Sequence, residues 1–193
     1  MLFIVGINFG LRVSDLLRLR FCHLIDEDFS FKRTFPILEK KTQNTRSVKK
    51  NRYITINDAV MDAVILYLQH NDCNLSDFMF RSNSNNGSNK NVAMSRKAVD
   101  LILKEIASTL DIHAKVATHT LRKTFGYHQM VMSGNDPRKL LLLQKIFGHS
   151  SSAQTLDYIG ITSEEIEDAY LKLNLGSTNE YDKFNTVGEA EVV

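Results

Sequence analysis

His119, Arg122, His149 and Tyr158 are the residues of this 193-residue sequence whose types and spacing can handle a charged substrate. A guanidinium grips a phosphate-like anion through two parallel hydrogen bonds. An imidazole takes up or releases a proton near neutral pH, and a phenol becomes a nucleophile once a base accepts its proton. His119 and Arg122 stand three apart at a helix start, Arg12 and Asp15 share a helix face at the same interval, and Tyr158 follows His149 by nine residues. Each signal is weak by itself. The six histidines and ten arginines yield about 0.3 His-x-x-Arg pairs by chance. A histidine just past a helix-ending glycine often only answers the helix dipole, and a tyrosine on a short helix is usually core. The acidic residues form no cluster suited to a metal nuclease, the histidines and cysteines lack ligand spacing, and neither a metal nor another cofactor is expected.

The elements that must position these residues are mostly helical. Apolar residues recur at helical spacing in GLRVSDLLRL at 10–19, again from Asn57, and again from Ser95. Asn57 begins the second of these segments and Ser95 is an N-cap candidate for the third. In the last third, a helix over 120–133 follows THTLRK. Asp136 and Pro137 open a helix that Gly148 ends. Ser151 caps a short helix reaching Tyr158, and Thr162 with Glu165 opens a final one to about Asn174, with Gly176 as its stop. Segments 21–38 and 46–56 mix Phe, Ile, Val and Tyr with charged residues, as a small antiparallel sheet would, with KKTQN in the connection. The polar stretch SNSNNGSNKN at 82–91 reads as a surface loop. The fold class expected is therefore α+β, mainly α-helical with a small antiparallel β-sheet.

Composition bounds the rest. With 43% hydrophobic and 24% charged residues, the chain has material for one packed domain and is not disordered. No apolar run approaches the roughly 18 residues of a membrane span, and the start carries no export signal, so a cytoplasmic protein is expected. Cys22 and Cys73 lie far apart and read as reduced thiols. The formal net charge of +2 hides a polarity: residues 32–52 carry a net +7 and residues 161–193 a net −6. A basic block of that density is a footprint of a polyanion partner, and nucleic acid is the natural one.

The order of the whole set is far more specific than its parts. GLRVSDLLRL, EKKT in a basic hairpin, HTLRKTF, GHSS and then Tyr158 resemble the catalytic domain of the tyrosine recombinases, the phage integrase family, over about residues 2–172. The resemblance implies the mainly helical catalytic fold of that family over 1–175, followed by an acidic tail at 176–193. It implies Arg12 and Arg122 as catalytic arginines, Lys41 as the hairpin lysine with Lys40 as the competing choice, and His119 and His149 as the two histidines. Tyr158 is implied as the nucleophile, and Asp15 as the acid supporting Arg12. Lys40, Arg46, Lys49, Lys50 and Arg52 are expected to contact DNA. No cofactor is implied.

A phosphodiester under attack gains negative charge, which two guanidinium forks can neutralise without a metal. The tyrosine needs a proton acceptor, for which His119 is the candidate. The leaving 5′-oxygen needs a proton from the lysine, and His149 can hydrogen-bond a nonbridging oxygen. Storage of the bond as a 3′-phosphotyrosine makes the step reversible without ATP. The expected function is site-specific recombination of double-stranded DNA for an integrative element or phage, by a homo-oligomer, a tetramer on DNA and a monomer when isolated. A type IB topoisomerase shares the chemistry but commonly has lysine where His119 stands. A catalytically silent DNA-binding module explains the basic block alone, and Tyr158→Phe separates it from an enzyme. Because Met1 falls eleven residues before Arg12, the chain reads as a catalytic domain without the N-terminal clamp domain. The apolar stripe Ile166, Ala169, Tyr170 and Leu173 is expected to dock on a neighbouring protomer, leaving Tyr158 displaced in a lone subunit.

Overall fold

The computed structural model describes residues 1–38, 52–82, 91–160 and 163–173. Two compact units emerge, Met1–Ile159 and the segment from Gly160 onward. The first unit opens with three helices, α1 (Leu2–Phe9), α2 (Val13–Leu16) and α3 (Phe21–Leu24). A two-stranded sheet of β1 (Thr34–Ile37) and β2 (Arg52–Thr55) follows. Then come α4 (Asp58–His70), α5 (Arg96–Thr109), α6 (Thr120–Val131), α7 (Pro137–Phe147) and α8 (Ser152–Ile159). The second unit contains α9 (Ser163–Lys172).

The capping residues set several helix starts. Asn57 accepts the amide of Val60, Ser95 that of Ala98, and Asp136 that of Arg138 with Pro137 in the first turn. β1 and β2 pair antiparallel, Thr34 opposite Thr55 and Ile37 opposite Arg52, which turns Phe35 and Ile54 together into the core. The main core gathers Val5, Phe9, Leu16, Phe21, Leu24, Phe35, Val60, Val64, Val99 and Leu121, with α1 packed against α4 and α6. A smaller core of Met130, Leu143 and Phe147, flanked by Phe125, Tyr158 and Ile159, joins α6, α7 and α8. Among the described residues no helix is long and apolar enough to cross a membrane.

The mainly helical fold with a small antiparallel sheet agrees with the expectation, but two stretches differ. Residues 10–19 are not one helix. Gly10 terminates α1 in the left-handed region, Arg12 is extended at φ −63, ψ 144, and only Val13–Leu16 coils. The helix Leu2–Phe9 shows no polar stripe because most of its surface is covered. Residues 21–38 are not one strand: Phe21–Leu24 form a helical turn, Ile25 makes an isolated bridge to Phe31, and the strand begins at Thr34. A four-residue helix is shorter than the pattern that would announce it.

Candidate active site

Two helix ends build the centre of the site. Gly10 at φ 55 stops α1 and Gly148 at φ 61 stops α7, a conformation that glycine adopts without a side-chain clash. The last carbonyls of a helix lack helical donors and carry the negative end of its dipole. Arginines from three other places in the chain meet them. Arg122, buried in the first turns of α6, donates to Gly10 O at 2.8 Å and to Phe147 O at 2.9 Å. Arg12 donates to the same Phe147 O at 3.0 Å. Arg52, at the start of β2, donates to Ile146 O at 2.8 Å and Phe9 O at 3.5 Å. The Arg122 guanidinium also lies 4.5 Å from the centroid of the Phe147 ring, which holds its plane. Two arginines 110 positions apart in sequence are thus brought onto one oxygen.

Tyr158 is seated beside them. Its hydroxyl lies 3.3 Å from His119 Nδ1, at the N-terminus of α6. Its ring stands edge-on to Phe147 at 5.4 Å and to His149 at 5.2 Å. Burial pushes the phenol above its ordinary pKa, while the Arg122 and Arg12 charges and a hydrogen bond from Arg122 pull it down. His119 is exposed as a residue, yet loss of solvent at its ring, followed by the charges of Arg96, Arg122 and Lys123, lowers its pKa below 6.5. A neutral imidazole next to a phenol under two guanidiniums is an acceptor matched to that proton.

The structure brings together Arg12, His119, Arg122, His149 and Tyr158, with Asp15 buried on the turn that follows Arg12. Lys40, Lys41, Arg46, Lys49 and Lys50 lie outside the described residues. Arg52, grouped with the DNA contacts from sequence, turns its guanidinium toward two backbone carbonyls. Tyr158 is not displaced as expected for a lone subunit. The rings of Phe147, His149 and His119 surround it, and Thr155, fully buried one turn earlier, anchors α8. Sequence reasoning missed Thr155, whose Oγ1 lies 3.1 Å from His149 Nδ1; the available signal was a threonine six residues after a histidine and four after a helix cap. Among the described residues no three His, Cys, Asp or Glu gather as metal ligands.

The sequence and the fold both have counterparts among known proteins. The model of the phage integrase family matches residues 2–165. A probable integrase/recombinase, YoeC, of Bacillus subtilis (strain 168) is 32% identical over 169 residues, covering 88% of this chain and 81% of the relative. The tyrosine recombinase XerC of Oceanobacillus iheyensis is 27% identical over 170 residues, covering 84% of this chain but 49% of its own. Of solved structures, XerA recombinase superposes with a TM-score of 0.60 at 21% identity, covering 89% of this chain and 55% of that one. The XerH site-specific recombinase bound to its difH substrate gives 0.55 at 18% identity, covering 88% and 43%. The chain spans about half the length of the XerC relative and of these two structures. With the family model covering residues 2–165, and with Arg12, His119, Arg122, His149 and Tyr158 meeting at the ends of α1 and α7, the chain belongs to the phage integrase family, the tyrosine recombinases.

Proposed function

We propose that this chain breaks and rejoins double-stranded DNA at specific sites through a covalent 3′-phosphotyrosine, in the service of an integrative element or phage. One observation carries the reading: Arg12 and Arg122 share the Phe147 carbonyl while the Tyr158 hydroxyl lies 3.3 Å from His119 Nδ1. Two forks held on one oxygen suit the two nonbridging oxygens of a phosphodiester under attack, where charge accumulates. The Tyr158 oxygen forms the new bond to phosphorus as its proton passes to His119. The bond from phosphorus to the 5′-oxygen breaks, and that oxygen takes a proton from Lys41 or, in the alternative register, Lys40. Reversal by another 5′-hydroxyl restores the diester and the phenol, so the reaction consumes no cofactor. Asp15, buried on the turn after Arg12, is assigned the role of supporting that arginine.

DNA is the proposed partner, held also by Arg46, Lys49 and Lys50. Assembly on it is proposed to be tetrameric, with α9 exchanged between protomers. A nicked duplex that traps the intermediate tests the reading. The wild-type chain forms a covalent adduct that survives denaturation, and Tyr158→Phe forms none. An undiminished adduct with Tyr158→Phe refutes the assignment.

A further inference from the structure

Thr155 has no part in the steps above, yet it is fully buried and touches His149, one of the side chains gathered at the site. Its Oγ1 lies 3.1 Å from His149 Nδ1 and 3.2 Å from Ser151 O. A hydroxyl carries one proton, and a ring nitrogen is either donor or acceptor. If Thr155 gave its proton to His149, its lone pairs would face those of the Ser151 carbonyl at 3.2 Å, a repulsion in a place without water. With the proton on Ser151 O, the back-bond that threonine commonly makes to the carbonyl four residues earlier in a helix, Oγ1 accepts from His149 and both contacts attract. The Thr155 amide bonds the same Ser151 carbonyl at 3.3 Å, so the first turn of α8 fixes the hydroxyl's place. The Phe147 ring, 5.3 Å from that of His149, and the Tyr158 ring fix the imidazole.

We propose that Thr155 is a positioning residue that holds His149 as the Nδ1–H tautomer, so that Nε2 donates to a DNA phosphate oxygen only after the ring has taken up a proton. The tautomer follows from the contacts of Thr155; the identity of the anion rests on the recombinase reading. The ring nitrogen engaged by a fixed partner dictates what the other can do. Arg12 passes within 3.9 Å of the point where a Cβ on Gly148 would stand, Arg122 stacks on Phe147, and Lys123 stands over the Tyr158 ring. Among the described residues, Tyr158 stands edge-on to the ring, with His119 on the far side of the phenol. Cations gathered about the site oppose a further positive charge on the ring, and a phosphodiester brings the negative charge that offsets them. One proton from solvent enters at His149 Nε2 on binding and leaves on release, and no DNA bond changes in that step.

Nitrogen-15 NMR of the full chain reads the tautomer directly, and addition of a nicked duplex at pH 7.5 reads the protonation. A neutral ring with its proton on Nδ1, converted to imidazolium by the duplex, is expected. A neutral ring with its proton on Nε2 overturns the proposal, and so does an Nδ1–H ring that stays neutral with DNA bound. Linkage of one proton weakens binding by up to about tenfold per pH unit above neutrality. Thr155→Ser retains that slope, while Thr155→Val, which frees the ring to carry its proton on Nε2, flattens it; an identical slope in Thr155→Val refutes the positioning role. Absence of a Tyr158 adduct in the wild type would instead defeat the recombinase reading and leave the tautomer measurement intact.

Discussion

Arg122 concentrates structure and chemistry in one side chain, so its substitution acts on both. Its two bonds satisfy Gly10 O and Phe147 O in a buried setting. Arg122→Lys keeps the charge but cannot fork, leaving one buried carbonyl short of a donor at a cost of about 1–3 kcal/mol. We expect urea unfolding to show that loss and adduct formation to fall by at least about 100-fold, the scale of removing one oxyanion donor. A variant that matches the wild type in adduct formation would show that the fork is not used on substrate. His119 has a separate signature. Burial and neighbouring cations hold its pKa below 6.5, so the ring is a neutral base above that value and becomes protonated as pH falls through its lowered pKa. The cleavage rate is expected to be flat with respect to this group above pH 6.5 and to decline below it, and His119→Gln to remove the decline.

At the scale of elements, α6, α7 and α8 meet where a side chain is missing. A Cβ on Gly126 would stand 2.9 Å from Phe147 Cζ and 3.0 Å from Ile159 Cγ1. Gly126→Ala must move the residue whose carbonyl holds two arginines, or the residue next to Tyr158. Overpacking of this kind costs about 1–3 kcal/mol, and cleavage by the fraction that remains folded is expected to drop as well. Full activity per folded molecule would show that the three helices absorb the methyl group elsewhere. Helices with a cap and an apolar stripe were legible in the sequence: Asn57, Ser95 and Asp136 start their helices as read, and Gly148 ends α7. Elements without such periodicity were not legible, as α1 and the single turn at Phe21–Leu24 show. Of the site, the residue types and their order were legible because they recur as motifs. The meeting of Arg12, Arg52 and Arg122 at two helix ends was not, since it depends on carbonyls that no side chain announces.

The whole molecule responds to acid in a definite direction. His23 stacks on Phe35, accepts the Arg20 amide at 3.0 Å, and has its pKa lowered by burial and then by Lys32, Arg20 and Arg18. With His119 also lowered, the unfolded chain takes up protons first as pH falls below 6.5, so stability declines there and is level with respect to these groups above it. The carboxylates of Asp28 and Asp100, held below 3.8, contribute their own loss only at lower pH. The melting temperature is therefore expected to fall between pH 6.5 and 5, and His23→Gln to reduce that fall; a higher melting temperature at pH 5 would contradict the sign. DNA affinity, if residues 32–52 meet phosphates, should weaken by roughly one decade per decade of salt for each contact. The exposed Ile166 and Tyr170 of α9, with Leu173 just past its end, motivate the proposed exchange between protomers. Removal of residues 163–193 is expected to abolish the protein-concentration cooperativity of cleavage while monomer binding persists.

The shared Phe147 carbonyl has a consequence for the entropy of substrate capture. A free arginine side chain carries about 2 kcal/mol of rotamer freedom, which a ligand must remove to use it. Here the fold itself ties Arg12 and Arg122 to that oxygen, so most of the freedom is lost when the chain folds. A phosphodiester entering the site meets two ordered forks, and the ordering penalty that ordinarily weakens a charged contact is absent from its binding free energy.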